Sequence, residues 1–162
     1  MSTDFATGHA PVAPPGPAAV LVQRLGEEVE GWRHILATAT TAEQRAPSGW
    51  SVVEHAERVC DLWRARAEQI DAMRIERRPL LDRVLIDAPH ARVAGIATVG
   101  TRLAIEADHL GRVGAAVPAS DWDRTDPRSG QPVTVAALVG ECLTESNRRL
   151  AAASRLVEQQ QT

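Results

Sequence analysis

Apolar residues recur at spacings of three and four in four separate stretches of the chain, and this periodicity constrains the fold more than any other feature. Such spacing puts apolar side chains on one face of an α-helix. In chain order the four stripes are Leu21, Val22, Leu25, Val29, Trp32 and Leu36; Ala56, Val59, Trp63, Ala67 and Ile70; Ile96, Val99, Leu103, Leu110, Val113 and Val117; and Val135, Leu138, Val139, Cys142, Ala153, Leu156 and Val157. Because amphipathic helices bury their stripes against one another, the sequence predicts an all-α four-helix bundle, with connections long enough for crossovers.

Length and composition predict one helical domain behind a short leader. Residues 1–16 are rich in proline, glycine and alanine and offer little apolar surface, so we expect them to be disordered. Residues 17–160 then form the bundle. Only 3% of the residues are aromatic and none is tyrosine, which favours helices packed through aliphatic side chains over sheets.

Charge and cysteine content exclude several classes of partner. The net charge is -3 and no basic run occurs, so we expect no nucleic-acid partner. No stretch has the length of a membrane span or the pattern of a secretory signal. Two cysteines, Cys60 and Cys142, are too few for a disulfide framework or a zinc knuckle. We therefore expect a cytoplasmic protein that does not bind membranes.

Local signals predict where the helices begin and end. Ser51 and Glu54 form a capping box with Trp50 and His55 at the staple positions, so the second helix runs from about Val52 to Met73. Thr41 to Gln44 repeats the capping-box pattern, and Pro79 to Leu81 resemble an apolar plug in a connector. Gly114 and Pro118 are expected to end the third helix, Trp122 to anchor the following loop, and Thr134 to cap the fourth helix.

Charged residues lie on faces where a bundle is expected to be apolar. In helical projection Arg149 lies about 20 degrees from Cys142, inside the fourth stripe, and Glu145 lies one turn earlier, where the two should form an ion pair. On the second helix His55 lies within the stripe and Arg58 borders it. Unpaired buried charges are costly, so this pattern predicts a polar interior pocket. The alternative is that Arg149 extends along the helix to solvent and that Arg58 lies on a solvated face.

In this order and spacing, four segments resemble the DinB/YfiT-like superfamily of four-helix bundles, which includes mycothiol-dependent maleylpyruvate isomerases. The segments are Gly49–Val52 with Glu54, Arg78–Leu81, Asp121–Trp122 and Thr134–Val135, and the resemblance spans most of residues 18–157. In that family three histidines bind a metal, and the matching positions here read Arg58, Glu145 and Arg149. Because guanidinium groups do not coordinate cations, we expect no metal and no cofactor.

These residues predict a metal-free site that binds a small, anionic organic molecule. Arg58 and Arg149 are the candidate anion-binding groups, Glu145 and His55 the candidate proton carriers, and Cys142 and Trp63 further lining residues. The resemblance implies an isomerase, lyase or transferase. His55 is otherwise a packed or capping residue, Trp63 a core residue, and Cys142 either a buried structural thiol or, next to a cation that lowers its pKa, a nucleophile.

Two other functions are compatible with the same residues. In the first, the three charges form an internal salt bridge in a non-catalytic scaffold that forms a homodimer through helix faces. In the second, the family chemistry is retained, with a thiol such as mycothiol and a metal held by unusual ligands.

Overall fold

The computed structural model describes residues 15–39, 49–74, 95–125 and 133–160. Within these ranges the chain forms four α-helices and one short 3-10 helix, with no β-strand. This confirms the all-α four-helix class that the periodicity predicted. No helix of the described ranges combines the length and the apolar composition needed to cross a membrane. The leader as far as residue 14, the Thr41–Gln44 capping box and the Pro79–Leu81 plug lie outside the described residues.

Helix α1 spans Pro17–Thr38 and begins with a proline, whose fixed φ suits the first helical turn. The predicted stripe is buried at Leu21, Leu25, Trp32 and Leu36. Placing Val22 in that stripe was wrong: its side chain is 52% exposed, since it lies about 100 degrees around the helix from Leu21. The buried face includes Glu28 instead, only 4% exposed.

Helix α2 spans Val52–Arg74, within one residue of the predicted bounds. The residue two positions before its cap, Gly49, has a φ of +96°. Side chains other than that of glycine are strained in this left-handed region, so a glycine allows the chain to turn sharply into the helix.

Helix α3 spans Ile96–Ala115 and ends two residues before the predicted Val117. Gly114 lies inside the helix and does not terminate it. A Cβ atom at this position would lie 2.6 Å from Leu21 Cδ2, so the absence of a side chain lets α1 and α3 approach closely.

The expected anchoring role of Trp122 is confirmed. A one-turn 3-10 helix, Ala119–Asp121, precedes it, and the buried indole Nε1 donates to the Val117 carbonyl at 3.4 Å. The Trp122 carbonyl accepts a hydrogen bond from the Ala136 amide at 3.0 Å. This tryptophan thus ties the end of α3 to the beginning of the last helix.

Helix α4 spans Val135–Gln160. The predicted N-cap is confirmed, because Thr134 Oγ1 accepts from the Ala137 amide at 3.0 Å. Its buried face contains two polar side chains, Ser146 and Arg149, among apolar ones. The first faces α1 and the second faces the beginning of α2, as the contacts below describe.

The four helices pack so that α1 and α2 each contact both α3 and α4. Helices α1 and α3 are antiparallel, since Leu21 meets Gly114 at one end and Leu36 meets Gly100 at the other. Helices α1 and α4 are parallel: Ser146 bonds to Glu28 and Leu150 contacts Gly31.

Helices α2 and α4 are antiparallel. Trp50, just before α2, contacts Arg149, whereas Arg66, later in α2, approaches Glu141, which is earlier in α4. It follows that α2 and α3 are parallel neighbours. The end of α2 and the beginning of α3 therefore lie at opposite ends of the bundle, which is the crossover arrangement that the sequence predicted.

Candidate functional site

The beginning of α2 is held by the predicted capping box. The Ser51 amide donates to Glu54 Oε2 at 2.8 Å, and the Glu54 amide donates to Ser51 Oγ at 3.1 Å. Both side chains are fully buried, so these bonds form in a low-dielectric interior where they fix the backbone firmly. The cap thereby sets the positions of the two residues that flank it, Trp50 and His55.

Trp50 and His55 stack on each other across the cap. Their ring centroids lie 5.4 Å apart with an interplanar angle of 25°. This is the staple-like contact expected from their positions before the cap and in the second turn of the helix. The aromatic surface that results faces α4.

Helix α4 contributes a buried cation to the same place. The Arg149 guanidinium carbon lies 4.8 Å from the centre of the Trp50 ring, and Arg149 Nε donates to Glu145 Oε1 at 2.8 Å. The Arg149 side chain is only 9% exposed. The predicted ion pair between Glu145 and Arg149 is thus confirmed, and Arg149 does not extend into solvent. We call Trp50, His55, Glu145 and Arg149 the arginine–aromatic cluster.

Glu145 is held by two arginines. Arg148 donates to both of its carboxylate oxygens, at 2.8 and 2.9 Å, in addition to the bond from Arg149. The hydrogen bond from Arg148 lowers the pKa of Glu145 most, burial opposes it, and Arg149 lowers the pKa further. Glu145 is therefore ionised and a weak base at neutral pH.

His55 lies in a buried and positively charged environment. Burial is the main cause that lowers its pKa to about 4; Arg149, Arg148 and Arg155 on α4 act in the same direction, and only Glu54 opposes them. The imidazole is therefore neutral at pH 7. Its pKa is well below the near-neutral value that was expected of a general base. Its Nδ1 atom is buried and has no hydrogen-bond partner among the described residues.

Arg58, the third charged residue predicted for the site, is half-buried on α2. It follows His55 by three residues, so it lies on the adjoining face about one turn further along the helix. The ion pair within the cluster joins Glu145 to Arg149.

Cys142 and Trp63 lie at a different level of the bundle from the cluster. Cys142 precedes Arg149 by seven residues and Trp63 follows His55 by eight, which corresponds to about 10 to 12 Å along each helix. Trp63 is completely buried in the core. Burial raises the pKa of the Cys142 thiol to about 12, Arg66 counteracts this only in part, and Glu28 adds to it. The lowered pKa that a nucleophilic thiol requires is not present here.

Two further buried polar residues were not predicted. Glu28 on α1 accepts a hydrogen bond from Ser146 on α4, and both are buried. A signal for Glu28 existed, since it follows Leu25 by three residues and precedes Trp32 by four, which are the spacings of the stripe itself. The contact of Trp50 with Arg149 carried no such signal, because it joins residues about a hundred positions apart.

Further grooves along the described helices lie elsewhere. Two, of about 580 and 550 Å³, run between α1 and α3 and share Arg33, Ala104 and Asp108. Val22 and Ile105, two large apolar side chains that are exposed, lie along them. These grooves are lined by α1 and α3, whereas the arginine–aromatic cluster joins α2 to α4.

Within the described ranges, no three side chains of His, Cys, Asp or Glu come together in a group that could hold a metal ion. Comparisons with protein-family models, with curated proteins and with solved structures find no match to this chain.

Proposed function

We propose that the arginine–aromatic cluster binds a small, anionic organic molecule in the cytoplasm, and that the chain is a DinB-like protein with a metal-free site. The observation that carries this proposal is the Arg149 guanidinium, which is buried, lies over Trp50 and donates a hydrogen bond to Glu145. A guanidinium fixed in this way has a defined direction in which to meet a carboxylate.

The electrostatics of the cluster support an anion over a cation or a neutral ligand. Three arginines of α4 together lower the pKa of His55, while one carboxylate opposes them, so the potential at the imidazole is positive. In a buried setting such a potential attracts anions strongly, because solvent screens it little. A bound carboxylate would also offset these cations and raise the pKa of His55.

That coupling suggests how the site could support chemistry. Before an anion binds, His55 is neutral and able to accept a proton, and afterwards its higher pKa makes it a stronger base. Arg149 would orient the ligand and stabilise negative charge that develops on it. The proposed reaction classes, isomerase, lyase or transferase, come from the DinB-like resemblance. Glu145 serves here to orient Arg149, since its lowered pKa makes it a poor proton carrier.

The test is ligand binding by two arginine variants. We expect at least one member of a panel of short mono- and dicarboxylates to raise the Tm of the wild-type protein and to bind in titration calorimetry. Arg149→Met should weaken that binding at least tenfold, since a charge-assisted bidentate contact is lost. Arg148→Met is the matched control, because Arg148 also bonds Glu145 but is exposed, and it should change binding little. Equal affinity of wild type and Arg149→Met would refute the proposal.

A second candidate, the non-catalytic homodimer, is favoured by the groove between α1 and α3. Its edges carry Glu30 and Asp108 beside Arg33 and Arg112, so acidic and basic groups balance. A second copy of the chain can match such a rim with its own charges, whereas a strongly charged partner cannot. In this function the arginine–aromatic cluster is a structural ion pair.

A third candidate retains a thiol such as mycothiol and a metal held by unusual ligands. It rests on the DinB-like resemblance alone. Metal analysis of protein purified without a histidine tag tests it directly: a stoichiometric transition metal would support this function over the first two.

A further inference from the structure

Glu28 is a buried carboxyl group that lies outside the arginine–aromatic cluster. Its side chain lies between α1 and α4, where Ser146 Oγ donates to Glu28 Oε2. The other oxygen, Oε1, is buried and has no hydrogen-bond partner among the described residues. A buried carboxylate is normally compensated by a cation or by several donors, and these contacts provide only one hydroxyl.

The Ser146 hydroxyl that contacts Glu28 is positioned to accept a hydrogen bond from a protonated carboxyl group. Ser146 Oγ also lies 3.3 Å from the Leu143 carbonyl oxygen, one turn back along α4. If Glu28 carries a proton, its O–H donates to Ser146 Oγ, and the Ser146 hydroxyl donates to Leu143. The Glu28 O–H, the Ser146 hydroxyl and the Leu143 carbonyl then each have a partner. If Glu28 is ionised, Ser146 must turn its hydrogen toward Glu28, and the negative charge stays buried.

Among the described residues, the charged groups around Glu28 do not neutralise it. On α1 itself Arg24 lowers the pKa of Glu28, but it is exposed. On α4, Cys142 faces it as a neutral thiol. On α2, Arg66 faces that thiol, but its guanidinium bonds to Gln69 and approaches Glu141.

We propose that Glu28 is a buried proton-binding site, which holds its proton in the folded protein near neutral pH and destabilises the packing of α1 on α4 when it loses the proton. The electrostatics agree with this geometry. Burial raises the pKa of Glu28 to about 7, and the opposing influences of Ser146 and Arg24 are smaller. The site is independent of the anion site and depends only on the seam between these two helices.

The direction of the pH effect follows from linkage. Glu28 binds its proton more tightly in the folded than in the unfolded chain, so its contribution to stability is complete below its unfolded pKa of 4.5 and decreases as the pH rises to about 7. His55 acts in the opposite direction between pH 4 and 6.5, because its pKa is lowered in the folded protein. The two effects partly cancel, so the pH dependence of wild type alone does not isolate Glu28.

The experiment therefore compares wild type with Glu28→Gln, which mimics the protonated form. Urea unfolding is measured from pH 4.5 to 8. We expect the ratio of the wild-type unfolding constant to that of Glu28→Gln to rise roughly a hundredfold across this range, since the pKa differs by about two units or more between the two states. If the glutamine side chain of Glu28→Gln destabilises the fold for another reason, the ratio shifts by the same factor at every pH and its rise with pH is unaffected. Glu27→Gln, an exposed carboxyl one residue away, is the matched control, and its ratio should be flat.

A ratio for Glu28→Gln that is independent of pH would overturn the proposal. Should this variant not fold, carboxyl-carbon NMR of the wild-type protein gives the same answer: we expect one glutamate to titrate near pH 7, whereas midpoints that all lie below pH 5 would overturn it. Ser146→Ala provides a further check. It removes the hydrogen bond that lowers the Glu28 pKa, so the midpoint should move upward, whereas an unchanged midpoint contradicts the role given to Ser146.

Discussion

At the scale of single residues, the chemistry of this protein is determined by what surrounds each titratable group rather than by its type. Two glutamates differ most clearly. Glu145 has a lowered pKa because Arg148 and Arg149 bond to it, and Glu28 has a raised pKa because it is buried with a single hydroxyl partner. The sequence places both on inward helical faces, but it does not specify which cations reach them.

The pKa of His55 is the residue-scale property that we expect to respond most directly to its neighbours. Arg149 is the largest of the charges that lower it, so Arg149→Met should raise the His55 pKa from about 4. Arg148→Met should raise it less, because Arg148 has the smaller influence. The measurement is an NMR titration of the imidazole carbons. An identical His55 midpoint in wild type and both variants would contradict the electrostatic account of the cluster.

The lowered pKa of His55 also makes the stability of the folded protein depend on pH in the acid range. Because its pKa is lowered from 6.5 in the folded state, its contribution to stability is complete above pH 6.5 and is lost as the pH falls toward 4. The full loss is about 3 kcal/mol at most. We expect His55→Gln, which cannot take up this proton, to lose less stability than wild type between pH 6.5 and 4.5 in urea unfolding. Parallel curves for the two proteins would show that His55 does not titrate as described.

At the scale of helices, the sequence predicted the elements well and their contacts less well. The bounds of α2 and the caps at Ser51 and Thr134 follow from short-range rules, because a side chain and the backbone two or three residues away determine them. The contact of Trp50 with Arg149 and the interior position of Gly114 depend on how helices pack together. Periodicity shows which face of a helix is apolar, but not which neighbour covers it.

Two glycines test how closely α1 and α3 approach. Gly114→Ala would put a Cβ atom 2.6 Å from the buried Leu21, so we expect it to lower the free energy of unfolding by about 1 to 2 kcal/mol. Gly26→Ala is the control on α1, since nothing lies within 4 Å of the added atom. It should raise the free energy of unfolding by up to about 1 kcal/mol through helix propensity. Urea unfolding measures both, and equal effects of the two substitutions would contradict the described packing.

The proposed DinB-like relationship makes a prediction about the register of α2 against α4. If Arg58, Glu145 and Arg149 occupy ligand positions, the variant Arg58→His, Glu145→His, Arg149→His should gain a site for Zn²⁺ or Ni²⁺, because three neutral imidazoles suit these ions. Replacing Arg148 instead of Arg149 is the control, since a histidine there lies on the exposed side of α4. Metal analysis of tag-free protein decides the matter; no gain of metal by a folded triple variant would count against this alignment.

At the scale of the whole molecule, the two faces of the bundle suit different tasks. The helices α2 and α4 position the arginine–aromatic cluster with its buried Arg149, whereas α1 and α3 present two grooves along which the exposed Val22 and Ile105 lie. An exposed apolar groove suits association, and a buried guanidinium suits ligand binding. One chain can therefore be a homodimer and still have an anion site.

A final prediction separates association from ligand binding. If a second copy occupies the groove between α1 and α3, Gly26→Gln should weaken the homodimer, because Gly26 lines the groove and the new side chain takes up space that the partner would occupy. An added Cβ atom at Gly26 meets nothing within 4 Å. Gly140→Gln is the matched control, as Gly140 is an exposed glycine on α4 that also has nothing within 4 Å of an added Cβ. Sedimentation should show a dimer for wild type and Gly140→Gln and a monomer for Gly26→Gln. A wild-type protein that stays monomeric at high concentration would exclude the homodimer without bearing on the anion site.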